Sequence, residues 1–406
     1  MLRQPRARVA RRPPPVMLAA MPETAPRIRP AAVTRTAHSR DPDPELAVRA
    51  IFAELDAPSL AGIVLFASSR YPIEALEAAL VPRCEGLTLI GCTSSSEITE
   101  EGFSDGALVA IGFPRSDFAL SAIRFDALDR IDAGEAQERV RSLVAEAGAD
   151  ARRLGDALHR AAIFLVDGLS HSEEMLTVNV QDALGAIPLI GGSSGDGFAF
   201  RETFVLDNRG FHRDAALVAV LSSPRPMRVF RSQPYAPGDT KMVITGADTA
   251  ARIVSEINAE PAAAEYARLV GVRPEDLSPA IFASRPPMVR AGGEHYVRSI
   301  QSANADGSLT FYCAIDEGLV LTLGEAADIV GSMRTLLGEL EESVGGIDRI
   351  LGFNCVLNRT EIEQRQLLRD VSRLMTEHRV AGFNTYGEQY HALHVNQTFS
   401  GLVIGQ

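Results

Sequence analysis

Lysine is almost missing from this chain of 406 residues: Lys241 is the single one, and arginine supplies the other cations. Acids outnumber bases, and the formal net charge of −12 argues against nonspecific binding to nucleic acid or to an anionic membrane. Cysteine is scarce. Cys84, Cys92, Cys313 and Cys355 are scattered, and no two have the C-x-x-C spacing of a zinc or thioredoxin-like site. That pattern fits a reducing cytoplasm better than a disulfide scaffold. No apolar run approaches the ~18 residues of a membrane-spanning helix. The Gly191–Gly197 stretch lacks the G-K-[S/T] ending of a phosphate-binding loop, and G-x-S-x-G is absent. Val16–Met21 is too short for the apolar core of a signal peptide.

What the chain does have is a signature that occurs three times. Each copy is an apolar strand, a glycine, a cluster of small polar residues and a carboxylate. The first is Leu87–Glu97, with Gly91, Cys92, Thr93, Ser94 and Glu97. The second is Ile187–Asp196, with Gly191, Ser193, Ser194 and Asp196. The third is Val380–Glu388, with Gly382, Asn384, Thr385 and Glu388. Upstream strands are expected at Ile63–Ala67, Ala162–Val166 and Ile350–Val356, and intervening helices at Ile73–Leu80, Glu173–Leu184 and Glu361–Arg379. Further strands follow at Gly106–Phe113, Ala215–Leu221 and Ser400–Gly405. The unit is therefore strand, helix, strand, strand, and it recurs three times.

Alternating strand and helix signals predict an α/β (mixed α+β) fold, with mixed sheets flanked by helices. The Arg- and Pro-rich start, residues 1–41, is read as a disordered arm or as translation from an early start codon, with Met17 and Met21 as alternatives. Two units make a domain at 42–235. The second domain, 236–406, holds an insertion and the third unit. Pro234–Gly246 is expected to be a turn-rich crossing, Thr249–Ile257 and Pro261–Val270 helical, and Tyr296–Ile300 a strand.

The three polar clusters mark the candidate site, because ligands of open α/β sheets bind beyond the carboxyl ends of strands. Hydroxyls with Glu97, Asp196 and Glu388 suit a polar ligand carrying an amino group, although Ser, Thr and Asn at strand ends also simply cap turns. Arg298 offers a bidentate partner for a carboxylate. Cys92 is the best-placed nucleophile, with Asp167 as its partner in an enzymatic reading, yet no neighbouring base activates it. His391 and His394 make a weak metal pair, since positions i and i+3 of a strand face opposite sides.

These motifs resemble the FIST sensory domain in its N- and C-terminal parts. The N-terminal resemblance rests on Gly91-Cys92-Thr93-Ser94 with Glu97, Asp167-Gly168-Leu169-Ser170 and Gly191–Asp196. The C-terminal resemblance rests on Tyr296–Ile300, Gly318 and Gly382–Glu388. It implies a bacterial, cytoplasmic ligand-sensing module rather than an enzyme. The segments Cys313–Leu319 and His394–Gly401 look like the standalone nitric-oxide-sensing haem proteins of that family. That subgroup implies haem b, nitric-oxide binding and control of a separate histidine kinase or cyclic-di-GMP (GGDEF/EAL) enzyme. For the haem so implied, His295, beside Tyr296, and His212, beside Phe211, are the candidate iron ligands, with Tyr235 as an alternative, and Arg298 is a candidate partner for a propionate. A homo-oligomer is compatible with the sequence. The other reading is a haem-free sensor of an amino-acid-like metabolite.

Overall fold

The structure is a computed structural model that describes residues 32–406 apart from Gly292. The expected arm falls outside the described residues up to position 31. Its last stretch does not behave as an arm: Arg35–Ser39 is a strand paired antiparallel with Leu108–Pro114, so ordered chain begins ahead of Pro42.

Each of the three sequence units builds the centre of a six-stranded sheet. In each, two parallel strands run side by side: Leu60–Ser68 with Thr88–Ser94, His159–Val166 with Leu189–Ser193, and Ile347–Cys355 with Val380–Thr385. The later strand of the unit returns antiparallel against the first: Leu108–Pro114, Ala215–Ser223 and Phe399–Gly405. An edge strand then flanks it: Arg35–Ser39, Ala119–Asp126 and Met227–Ser232.

The three sheets are locked by exchanged hairpins. The hairpin that follows each signature leaves its own sheet and pairs with a neighbour. Ser96–Ser104 of the first unit adds to Val380–Thr385 of the third sheet, with Glu97 opposite Phe383. Val205–His212 of the second unit adds to Thr88–Ser94 of the first sheet. Glu388–Val395 of the third unit adds to Leu189–Ser193 of the second sheet. The exchange closes a ring.

One face of every sheet meets in a common core that includes Phe66, Ile163, Leu217, Leu351, Phe353 and Phe383. Phe66 stacks on Phe383 with ring centroids 4.4 Å apart. The outer faces are covered by helices, which is why these strands read as near-continuous apolar runs. Three of those helices start on an aspartate that accepts a backbone N–H: Asp43 from Leu46, Asp132 from Glu135 and Asp328 from Gly331.

Helices Ile73–Leu80 and Glu173–Leu184 lie where the periodicity places them. The helix expected over Glu361–Arg379 is two, Val356–Gln364 and Leu368–Glu377, broken where Gln366 takes φ +58°.

Between the second and third units an insertion forms its own sheet around Tyr266, Phe282 and Phe311. Here two expectations are corrected. Pro234–Gly246 is not a crossing but most of one long strand, Tyr235–Asp248. Pro237 sits at a register shift, where a missing N–H costs no ladder bond. Thr249–Ile257 is not helical: Ile253–Ile257 is a strand, with Val254 opposite Leu309 and Ile257 opposite Ile244. β-branched residues with partners on both sides outweigh a short alanine-rich lead-in.

Candidate ligand-binding site

The exchange of hairpins brings the three signatures together. Ser95 N donates to Asn384 O at 3.0 Å, Gly195 N to Thr93 O at 3.1 Å, and Ser193 N to Gly387 O at 2.8 Å. Their polar side chains mostly bind one another. Ser94 donates to Glu97 and Thr385 to Glu388. Glu97 also accepts Ala107 N at 2.7 Å, and Glu388 accepts Thr398 Oγ1 at 2.6 Å. Asn384 donates to Ser96 Oγ at 2.5 Å and accepts from Asn354 at 2.7 Å. Ser193 Oγ accepts Gln389 Nε2 at 3.0 Å, and Ser194 Oγ accepts Gly168 N at 3.1 Å. Thr93 Oγ1 accepts Phe204 N at 3.0 Å. Asp196 accepts the N–H groups of Phe200 and Arg201, both at 2.8 Å, and the Tyr386 hydroxyl.

Burial pushes the Glu97 carboxyl up to about 7 and the Glu388 carboxyl up to about 8, with their hydroxyl donors opposing it. Cys92 belongs to the common apolar core, where burial pushes its thiol well above the usual range. It is therefore removed from the polar groups beside it in sequence. Asp167 is occupied as well, accepting Asp214 N at 2.6 Å and the Thr203 hydroxyl, so the two do not make a nucleophile–base pair.

A different set of groups is left over where the insertion closes on the third unit. Buried atoms without a hydrogen-bond partner among the described residues include Gln389 Oε1, His394 Nε2, Asn396 Oδ1 and Gln397 Oε1. On the insertion, Arg298 Nε, Ser299 Oγ and Tyr312 OH are also unpartnered; Arg298 lies close enough to His394 to oppose its protonation, and Tyr312 packs on Tyr386. Buried polar atoms are nearly always paired, so this concentration is what marks a site.

Several contacts tie the groups together. His394 Nδ1 lies 3.2 Å from Gln389 Nε2, and its ring rests on Gly387, where a Cβ would stand 2.6 Å from Nε2. Gln397 Nε2 reaches Ala283 O at 2.9 Å and Tyr235 OH at 3.4 Å. Tyr312 packs on Tyr386, centroids 5.7 Å apart. Burial raises the Cys313 thiol, against the opposing charge of Arg298, which hydrogen-bonds it. Burial lowers His394 to about 4, so its imidazole is neutral near neutral pH.

Arg298 does not lie within a strand as expected. It sits in the break between Glu294–Val297 and Ile300–Ala303, half-buried and without a carboxylate partner among the described residues. Its neighbour Arg252 is paired: Nη2 is 2.6 Å from both Glu173 and Glu174, at the start of the second unit's helix. The larger surface clefts lie elsewhere, in the seam between the first and second sheets. They lack these unpartnered groups.

The histidines proposed for iron do not fit a haem. An axial imidazole must face an apolar pocket. His212 Nε2 is instead 2.9 Å from Asp207 Oδ1 and 2.6 Å from Arg124 Nη1. His295 is half-buried on an edge strand opposite Arg290. Burial holds the Tyr235 phenol well above its usual range, against the phenolate iron would need. Among the described residues no group of three or more His, Cys, Asp or Glu side chains is arranged to hold a metal ion.

Sequence reasoning singled out Arg298 but missed Gln389, Asn396, Gln397 and Tyr312. The available signal was the polar run Asn396–Thr398, which lies between two strands of a tightly packed unit.

The fold is a threefold core with an insertion joined to it at a polar junction. The FIST N domain model matches residues 62–260 and the FIST C domain model matches residues 262–391. The chain carries both domains in order and belongs to the FIST family of sensory proteins, whose domains bind ligands in signalling rather than catalyse reactions. Among curated proteins no sequence matches this chain. No helix among the described residues is long and apolar enough to cross a membrane.

Proposed function

We propose that this FIST protein is a haem-free sensor of a small amino-acid-like molecule, bound at the junction of the insertion and the third unit. The observation that carries the reading is Arg298, a half-buried guanidinium without a carboxylate partner among the described residues and near His394 of the third unit, where buried acceptors on Gln389, Asn396 and Gln397 are also unpartnered. Arg298 Nε and the Tyr312 hydroxyl supply donors for a carboxylate, and the amide oxygens supply acceptors for an ammonium group. The three signature clusters support the site from behind through Ser193–Gln389 and Tyr386–Tyr312.

A ligand held by Arg298 on one side and by the His394–Gln397 segment on the other bridges two parts of the protein. Its differential affinity for the closed arrangement shifts a two-state equilibrium, which a separate signalling protein such as a histidine kinase or a GGDEF/EAL protein reads. The nitric-oxide reading implied by the subgroup resemblance lacks a suitable iron ligand at His212 or His295.

The test is a thermal-shift and calorimetric screen of the full chain against the common L-amino acids. A hit that raises Tm, and that Arg298→Gln weakens by at least about tenfold without unfolding the protein, supports the reading. No hit, together with a Soret band that moves under nitric oxide, overturns it in favour of a haem sensor.

A further inference from the structure

The three sheets meet at three equivalent seams, and one of them is open. In each seam an edge strand faces the hairpin that the neighbouring sheet has received. Between the first and third sheets the gap is filled. Asp348 accepts Thr34 Oγ1 at 2.7 Å, Glu100 accepts the Thr36 hydroxyl, and the buried Arg349 meets Glu100 at 3.0 Å. Between the third and second sheets Arg231 lies over the rings of Tyr296 and Tyr390, at 4.9 and 5.8 Å. Between the second and first sheets, Arg124 meets Asp207 at 2.7 Å, but two clefts of about 480 and 660 Å³ remain. They meet at Thr88, Leu120, Asp150 and Asn208, which line both, and make a trench along the seam that is crossed where Thr88 Oγ1 donates to Leu120 O at 2.9 Å.

The wall of that trench is the edge strand Ala119–Asp126, which pairs with Ala215–Ser223 on its other side only. Along an antiparallel strand, alternate residues turn both backbone groups to the same edge. Leu120 O and Arg124 O point to the open edge, where they accept Thr88 Oγ1 at 2.9 Å and the Arg139 guanidinium. Ala122, midway between them, therefore presents its N–H and C=O to the trench, and neither has a partner there among the described residues.

Most arginines around this edge are not paired with a carboxylate. Arg115 and Arg153 spend their hydrogen bonds on backbone carbonyls, as does Arg139, and the Arg209 side chain is exposed. None of these four has a carboxylate partner among the described residues. Five arginines face four carboxylates in the trench, in a chain whose net charge is −12.

We infer that the trench is a strand-addition site for an extended acidic segment of a partner protein. The segment lies against the middle of Ala119–Asp126, between the partnered carbonyls of Leu120 and Arg124, hydrogen-bonds Ala122 through its backbone, and sets alternate acidic side chains against the arginines. An unpaired edge backed by a filled core is the usual template for such pairing. The surface is separate from the Arg298 junction.

Fluorescence anisotropy on the full chain tests this with four labelled peptides about ten residues long: alternating Glu–Val, alternating Lys–Val, and Glu–Val methylated on alternate backbone nitrogens in each of the two registers. The acidic peptide is expected to bind, the basic one not. Methylation in the register that faces Ala122 is expected to weaken binding at least about tenfold, as is the double change R139E/R209E. Ala122→Pro, which edge strands tolerate, gives the matching loss from the protein side, with thermal unfolding as the check on folding. No binding of the acidic peptide overturns the proposal. So does binding indifferent to methylation in either register, or displacement by a single-stranded oligonucleotide at lower concentration than by unlabelled peptide. The Arg298→Gln variant is expected to bind the acidic peptide unchanged, so failure here is distinguishable from failure of the metabolite reading.

Discussion

Arg252 and Glu173 meet at 2.6 Å with side chains only 4% and 2% exposed, joining the insertion to the helix of the second unit. The guanidinium also holds Glu174 and the Tyr312 carbonyl, each at 2.6 Å. Removing the cation leaves buried carboxylates uncompensated, while replacing the whole cluster with apolar groups does not. Arg252→Ala is expected to cost about 3–5 kcal/mol in urea unfolding. The insertion should then be cut faster than the threefold core in limited proteolysis. Equal rates would show that the pair does not hold the junction.

The buried glutamates set a pH dependence of opposite sign to ordinary acid denaturation. Glu97 and Glu388 are raised from 4.5 to about 7 and about 8, so the folded state keeps protons that the unfolded chain releases. Their contribution is complete below 4.5 and is lost as pH rises through 7 for Glu97 and 8 for Glu388. The urea midpoint is expected to fall between about pH 5 and about pH 9. The E97Q/E388Q protein should show a flatter profile over that window. An unchanged slope would assign the loss to other groups.

Two glycines separate close backbone approach from plain flexibility. A Cβ at Gly382 would run into the Gly352 carbonyl of the paired strand, so Gly382→Ala should prevent folding or leave an aggregated product. A Cβ at Gly338 meets nothing within 4 Å inside the helix Ile329–Ser343. Gly338→Ala should therefore stabilise by about 0.5–1 kcal/mol. Circular dichroism of both variants checks the contrast.

Local patterns carried much of this architecture. The helices Ile73–Leu80 and Glu173–Leu184 are legible because their apolar positions face one sheet. The three parallel strand pairs are legible because they are buried on both sides and read as apolar runs. The partner of each hairpin is not legible. Ser96–Ser104 looks the same whether it pairs at home or with Val380–Thr385, since the choice is made by contacts nearly three hundred residues apart in sequence. The site shows the same division. The signature clusters stand out by composition, and the structure spends most of their hydrogen bonds on one another. The unpartnered groups on Gln389, Asn396 and Tyr312 emerge only when the insertion is placed against the third unit.

The exchanged hairpins also predict that the two FIST domains are not independent folding units. The N-terminal match ends at residue 260, while the strands at Ser96–Thr99 and Gly102–Ser104 complete a sheet built from Met227–Ser232 and Ile347–Gly405. A protein cut after Glu260 loses the host strand Val380–Thr385 and with it the seat of Glu97 against Phe383. It also exposes Phe66, Val64 and Ile163 where Phe353 and Phe383 should pack. The truncated chain is expected to bind a hydrophobic dye and to unfold without a sharp transition. The full chain, in contrast, should unfold its threefold core in one cooperative step, seen as coincident far-UV and aromatic signals. A sharp transition in the truncated chain would mean that its first two sheets close without the third.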